Sequence, residues 1–155
     1  MERIPMTNEG FLALKQELDR LKTVERPENI RAIEEARAHG DLSENAEYHA
    51  AKDRQGLLER RIGELAYKLA NAEVIEVDNL AKDRVRFASR VSLENCETGE
   101  LVAYQLVGPE ESDIEKGRIS ISSPLGKALM GKRPGEEVVL MAPAGKRQYE
   151  VVEIL

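Results

Sequence analysis

The 155-residue sequence carries 34% charged and 41% hydrophobic residues, with both signs mixed along the chain, which excludes a disordered or a membrane-spanning class. Its net charge of −6 excludes the broad basic footprint of a free-standing nucleic-acid binder, so any contact with nucleic acid has to be local or arranged by a partner. Cys96 is the only cysteine, so no intramolecular disulfide can form and a reducing, cytoplasmic compartment is expected. Glu9 and Lys15 arrive before any long apolar stretch, so no signal-peptide core is expected either.

From Phe11 the apolar residues recur as Phe11, Leu14, Leu18 and Leu21, steps of three and four that predict one stripe of a helix. Thr7 or Asn8 can cap its start. Pro27 predicts a kink or local break, after which Ile30 and Ile33 restart the stripe in a shifted phase. The helical pattern reaches Arg37 and Ala38, and Gly40 follows, suiting a helix that ends in a left-handed residue. A second run places Leu58, Ile62, Leu65, Leu69 and Ala72 at alternating steps of four and three, the seam of a coiled coil. Two such helices joined by a few residues fold back as antiparallel neighbours. Arms of about 30 residues reach roughly 45 Å at 1.5 Å per residue, so the tip near Gly40 is expected to project.

After about Val77 the pattern shifts to period two, in Val91 and Leu93, then Val102, Tyr104 and Leu106, across the turn Glu97-Thr98-Gly99-Glu100. Further strands are expected at Ile119-Ser120-Ile121, Val138-Val139-Leu140 and Tyr149-Glu150-Val151-Val152, with turns at Arg133-Pro134-Gly135 and Ala144-Gly145-Lys146. Ser123-Pro124 opens a short helix ending at Gly131. The expected fold class is therefore α+β: a long antiparallel coiled-coil hairpin over residues 1–77, its acidic tip near 39–47, followed by a small α+β domain over 78–155.

The connection between the arms reads Arg37-Ala38-His39-Gly40-Asp41-Leu42-Ser43-Glu44-Asn45-Ala46-Glu47-Tyr48-His49-Ala50-Ala51. The run Gly-Asp-Leu-x-Glu-Asn-Ala-Glu-Tyr resembles the tip of the GreA/GreB family of bacterial transcript-cleavage factors. The likeness extends to Ile4-Pro5-Met6-Thr7, Arg26-Pro27, Leu69-Ala70-Asn71-Ala72 and Ser123-Pro124-Leu125-Gly126. Within the family the tip wording and the limited basic content of the arms sit closer to GreA than to GreB.

The resemblance implies a cytoplasmic, monomeric elongation factor whose hairpin enters the secondary channel of RNA polymerase. There the polymerase cleaves the 3′ end of its own backtracked RNA and resumes. By the same resemblance Asp41 and Glu44 are metal-directed acids sharing the polymerase's Mg2+, with no cofactor bound in isolation. Arg37 and Lys52 engage the extruded RNA. The second domain is FKBP-like and docks on the polymerase rim through Ser122, Ser123 and Pro124. The factor is then an accessory protein and not an enzyme.

The residue types suit this chemistry. Magnesium takes hard oxygen ligands, commonly one or two carboxylates together with substrate phosphates, and a second metal can generate the hydroxide and stabilise the displaced oxygen of a phosphodiester. Simpler readings stand beside it. Asp41 at an N-cap with Glu44 at N3 makes a capping box for the second helix; Arg37 and Lys52 suit a solvated face. His39 suits a helix carboxyl end, and Tyr48 suits packing or orienting the tip. Competing functions are a coiled-coil adaptor, a prolyl isomerase, for which Phe87, Tyr104 and Tyr149 are the only aromatic walls in the second half, and an inhibitory relative that occupies the channel without promoting cleavage.

Overall fold

A computed structural model describes residues 2–155; Met1, which opens the segment read for a signal peptide, lies outside them. The described residues divide into two compact units, one formed by residues 2–4 and 11–72, the other by 5–10 and 73–155. Among the described residues no helix is long and apolar enough to cross a membrane.

The first unit is a helical hairpin. Helix α1 (Asn8–Arg20), a π-helical turn (Leu21–Glu25) and α2 (Arg26–Arg37) form one uninterrupted helical run. Pro27 occupies the first turn of α2. Its ring conflicts with the carbonyl one turn earlier, and the chain answers by widening: the Arg26 N–H bonds the Leu21 carbonyl, five residues back. The expected kink or break is thus a π-bulge, which inserts the phase shift without interrupting the helix.

After the bulge the buried face of α2 is Asn29, Ile33 and Ala36, while Ile30 is 43% exposed. Ile30 was expected in the stripe; Asn29 takes the inward position because its side chain has a partner across the hairpin, where Nδ2 donates to the Ala51 carbonyl at 2.9 Å.

The return arm, α3 (Ala46–Ala70), buries Ala51, Ile62 and Leu65. Contacts between the arms run in opposite directions along the two sequences. Glu17 meets Arg61 at 3.0 Å, Glu25 meets Arg54, Asn29 meets Ala51 and Ala36 meets Asn45, so the arms are antiparallel. Arg26 adds a two-pronged pair with Glu59, both bonds 2.9 Å. These ion pairs are solvent-facing and contribute little each. The apolar seam supplies the packing energy, at roughly 1.5–3 kcal/mol for each fully buried large aliphatic side chain.

Strands β1 (Ile4–Thr7) and β2 (Ala72–Ile75) form a two-stranded sheet. Strand structure therefore begins before Val77, where the sequence pattern first shows it. Neither Ile4-Pro5-Met6-Thr7 nor Ala72-Glu73-Val74-Ile75 alternates cleanly between apolar and polar residues, so no period of two marks them.

In the second unit β3 (Arg90–Asn95), β4 (Leu101–Val107), β5 (Arg118–Ser120), β6 (Glu137–Ala142) and β7 (Gly145–Ile154) form a sheet in the order β5-β4-β3-β7-β6. The β3–β4 pairing sets Val91 opposite Tyr104 and Leu93 opposite Val102, the register the alternation requires. Only β4–β5 is parallel, with Leu106 opposite Ile119. The core is aliphatic, built from Val85, Val91, Leu93, Leu106, Leu129 and Val151 with neighbours of the same kind.

The first turn of α1 also belongs to this unit. The Thr7 hydroxyl caps the helix by accepting from the Gly10 N–H at 3.0 Å and itself donates to the Glu111 carboxylate. Glu9 pairs with Arg118 at 2.6 Å.

Helix α4 (Pro124–Leu129) is brief and tightly seated. A Cβ on Gly126 would stand 2.0 Å from the Ser120 carbonyl oxygen, so only glycine lets the helix approach the end of β5 this closely.

Candidate site at the hairpin tip

The tip is the loop between α2 and α3. Gly40 turns the chain with φ of +109°, a conformation open to glycine and strained for side chains with a Cβ. A single 3-10 turn, Leu42–Glu44, follows, capped by Asp41. One carboxylate oxygen of Asp41, Oδ1, accepts both the Ser43 amide at 3.0 Å and the Ser43 hydroxyl at 2.8 Å. These bonds favour the charged form and hold the Asp41 carboxyl below its ordinary value, the hydroxyl acting first and the backbone amide second. Glu44 is exposed, and among the described residues its carboxylate has no hydrogen-bond or ion-pair partner.

The capping-box reading of Asp41 and Glu44 is corrected by Asn45. That residue, not Asp41, is the N-cap of α3: its Oδ1 accepts from the Tyr48 amide at 3.0 Å. Its Nδ2 reaches back to the Ala36 carbonyl at 2.6 Å. Asp41 caps only the 3-10 turn, because an extra turn intervenes before the helix begins. Both acids are therefore outside the second helix and free of its first turn.

The basic residues expected to face RNA flank the loop on opposite arms. Arg37 is exposed at the end of α2, its guanidinium carbon 5.9 Å from the Tyr48 ring centroid. Lys52, exposed in α3, bonds Gln55 at 2.8 Å. Tyr48 also meets the His49 ring edge-on at 5.7 Å, in keeping with a packing role. The two histidines take different partners. His39 lies 3.8 Å from the Glu47 carboxylate, and His49 Nε2 lies 3.3 Å from the Ser43 carbonyl. Among the described residues no three metal-ligating side chains gather in one place.

In the second unit the loop named for docking is built by its own serines. The Ser123 hydroxyl donates to the Ser120 carbonyl at 2.6 Å and accepts from the Gly126 amide at 3.1 Å, so it is committed to capping α4. Ser122 and Pro124 are exposed, with the Ser122 hydroxyl 2.7 Å from that of Ser120. Beside them lies a cleft of about 430 Å³ lined by Tyr104, Ile119, Pro124, Leu125, Leu140 and Tyr149 among others; Phe87 is not part of its wall.

Asn29, Ser43 and Asn45 were not singled out from the sequence. The signal available for Asn45 was its type, since Asn before a helical run is a favoured N-cap. For Asn29 it was an Asn one turn before Ile33, at the spacing of the inward face.

Residues 4–74 match the family described as "Transcription elongation factor, N-terminal" and residues 80–155 match "Transcription elongation factor, GreA/GreB, C-term". The chain is 53% identical over 155 residues to the transcription elongation factor GreA of Hyphomonas neptunium, covering 100% of this chain and 99% of that protein. It is 51% identical over 154 residues to the GreA of an Anaeromyxobacter species, covering 99% and 93%. Among solved structures, GreA factor homolog 1 of Thermus thermophilus is 31% identical over 99% of each chain, with a TM-score of 0.44. The chain belongs to the GreA/GreB family of transcription elongation factors.

Proposed function

We propose that this chain enters the secondary channel of RNA polymerase tip first and stimulates the polymerase to cleave the 3′ end of backtracked RNA. The observation that carries the reading is the tip itself: two exposed carboxylates on one short turn, Asp41 clamped and Glu44 free, at the end of an antiparallel hairpin. The 25 residues of α3 make an arm of roughly 37 Å, enough to carry the tip deep into a channel.

The donor set fits magnesium: Asp41 and Glu44 offer hard, exposed carboxylate oxygens, while the histidines at the tip face other partners, His39 the Glu47 carboxylate and His49 the Ser43 carbonyl. Asp41 and Glu44 would hold an ion that the polymerase and the RNA phosphates share. Such an ion would activate a water for attack and neutralise charge on the displaced oxygen. The chain's own task is to bring and orient its carboxylates. Arg37 and Lys52, on either side of the loop, offer positive charge to the phosphates of the extruded RNA.

On this reading the factor is an accessory protein without hydrolytic activity of its own. It acts as a monomer in the cytoplasm, and the second unit is an FKBP-like domain that grips the polymerase rim. Exposed Ser122 and Pro124 supply the contact, with Ser123 shaping the loop from beneath.

The decisive experiment adds the purified chain to backtracked elongation complexes carrying labelled RNA, with a parallel incubation of the chain, free RNA and Mg2+. Stimulated cleavage is expected only with polymerase. Cleavage of free RNA that survives removal of trace nucleases, or no stimulation in the complex, would overturn the reading.

A further inference from the structure

In the tip run Gly-Asp-Leu-x-Glu-Asn-Ala-Glu-Tyr, position x is Ser43. Its amide and hydroxyl both donate to the same oxygen of Asp41, at 3.0 and 2.8 Å. Two donors use up the two in-plane lone pairs of Oδ1 and leave Oδ2 with its full acceptor capacity. An exposed Asp otherwise samples several rotamers. The clamp is tied to the rigid arm as well, because the Ser43 carbonyl lies 3.3 Å from His49 Nε2 on α3.

Resting on the reading of Asp41 as a metal-directed acid, we propose that Ser43 is its positioning residue. The serine pins Oδ1 so that Asp41 presents Oδ2 alone to magnesium. That division of labour suits the ion, which demands near-octahedral geometry and is best served by carboxylates that are already oriented. Residues that orient a metal ligand by hydrogen bonding commonly matter about 10- to 100-fold to metal affinity or activity. The backbone amide is common to every residue type at this position; the hydroxyl is not. Thr keeps it, while Ala and Lys lose it. Ser43 is exposed, so these substitutions leave no cavity.

Two readouts test the assignment. The first needs no metal and no polymerase: side-chain 13C scalar couplings of Asp41, measured by NMR on the full chain. Wild type and Ser43→Thr are expected to show one dominant rotamer, and Ser43→Ala an average over several. The second is the magnesium dependence of stimulated cleavage. Ser43→Ala is expected to need about tenfold more Mg2+ for half-maximal cleavage and to reach the wild-type plateau, with Ser43→Thr restoring the wild-type requirement.

An Asp41 rotamer unchanged by Ser43→Ala, or an unchanged magnesium requirement while Asp41→Asn is inactive, overturns the role of Ser43 and leaves that of Asp41 standing. Loss of the plateau in Ser43→Ala at saturating magnesium also overturns it, because the serine would then act on the reacting atoms. Cleavage by Asp41→Asn at the wild-type level overturns the underlying reading of Asp41, and the proposal with it.

Discussion

The side-chain amide of Asn45 donates to the Ala36 carbonyl across the tip loop at 2.6 Å, while the oxygen of the same amide caps α3 at the Tyr48 N–H. One residue thus joins the end of one arm to the start of the other. The two functions are separable by substitution. Asp at position 45 keeps the capping oxygen but has no N–H to offer Ala36; Ala has neither. An N-cap is worth about 1 kcal/mol, so the Tyr48 amide in Asn45→Ala should exchange with solvent about fivefold faster than in wild type. In Asn45→Asp it should stay protected. Equal exchange in all three proteins would show that the cap does not hold the helix start.

Asn29 makes the other polar tie between the arms and is only 2% exposed. Its partner, the Ala51 carbonyl, lies inside α3 and faces a neighbour at the seam. A polar residue at such a position fixes register at some cost in stability. Asn29→Leu should therefore leave stability within about 1 kcal/mol of wild type, since an apolar group of similar size fills the space and the Ala51 carbonyl, inside α3, keeps the amide four residues on as its helical partner. Asn29→Ala should lose about 2 kcal/mol through a cavity and a missing bond. Denaturant unfolding followed by helical circular dichroism checks both, and equal losses in the two variants would contradict the role assigned to shape.

These two asparagines mark the limit of what periodicity reveals. Leu14, Ile33, Ile62 and Leu65 are buried as their spacing requires, and β3 pairs β4 in the register that Val91, Leu93, Val102 and Tyr104 imply. Spacing failed at Ile30, because a π-bulge before Pro27 shifts the phase by an amount that no count of apolar residues supplies. It failed again at the tip, where Asp41 and Glu44 have the spacing of a capping box but an intervening 3-10 turn gives the cap to Asn45. The acids themselves were legible as a motif. The serine that clamps Asp41 was not, because a hydrogen bond onto one carboxylate oxygen leaves no periodic trace.

The clamp on Asp41 has a pH signature whose sign follows from its direction. The Ser43 hydroxyl and amide favour the ionised carboxylate, so the folded-state value lies below the ordinary one. Stability from this clamp is fully present above the ordinary aspartate value of about 4 and is lost as pH falls through the lower folded value. In a 13C titration of the side-chain carboxyl, the Asp41 midpoint should lie below that of an unperturbed Asp and move upward in Ser43→Ala. An Asp41 midpoint at or above the ordinary value would remove the clamp from the solution structure.

Exposed Ser122 and Pro124 sit on a loop whose shape is held from within by Ser120, Ser123 and Gly126. A Ser122→Arg, Pro124→Ala double variant changes the outer surface and leaves the Ser123 cap in place. It should require more protein for half-maximal stimulation of cleavage while reaching the wild-type rate at saturation. A lowered saturating rate with unchanged affinity would place this loop in the chemistry instead.

Substitutions that remove charge while keeping shape separate the structural and chemical roles of Asp41 and Glu44. Asp41→Asn retains an oxygen that can accept from Ser43, and Asn is nearly as good a capping residue as Asp. Glu44 makes no side-chain bond among the described residues, so Glu44→Gln removes none. Both variants should unfold within about 1 kcal/mol of wild type, a margin that covers the loss of negative charge near a helix start. Magnesium binding should suffer far more, since a neutral amide offers a carbonyl oxygen without the charge that holds a hard dication. Stimulated cleavage should collapse in both variants, while each still competes with wild type for polymerase because the hairpin and the loop proposed for docking are untouched. Should either variant stimulate cleavage normally at low magnesium, the acid it replaces serves the turn alone and the shared-metal mechanism fails at that position.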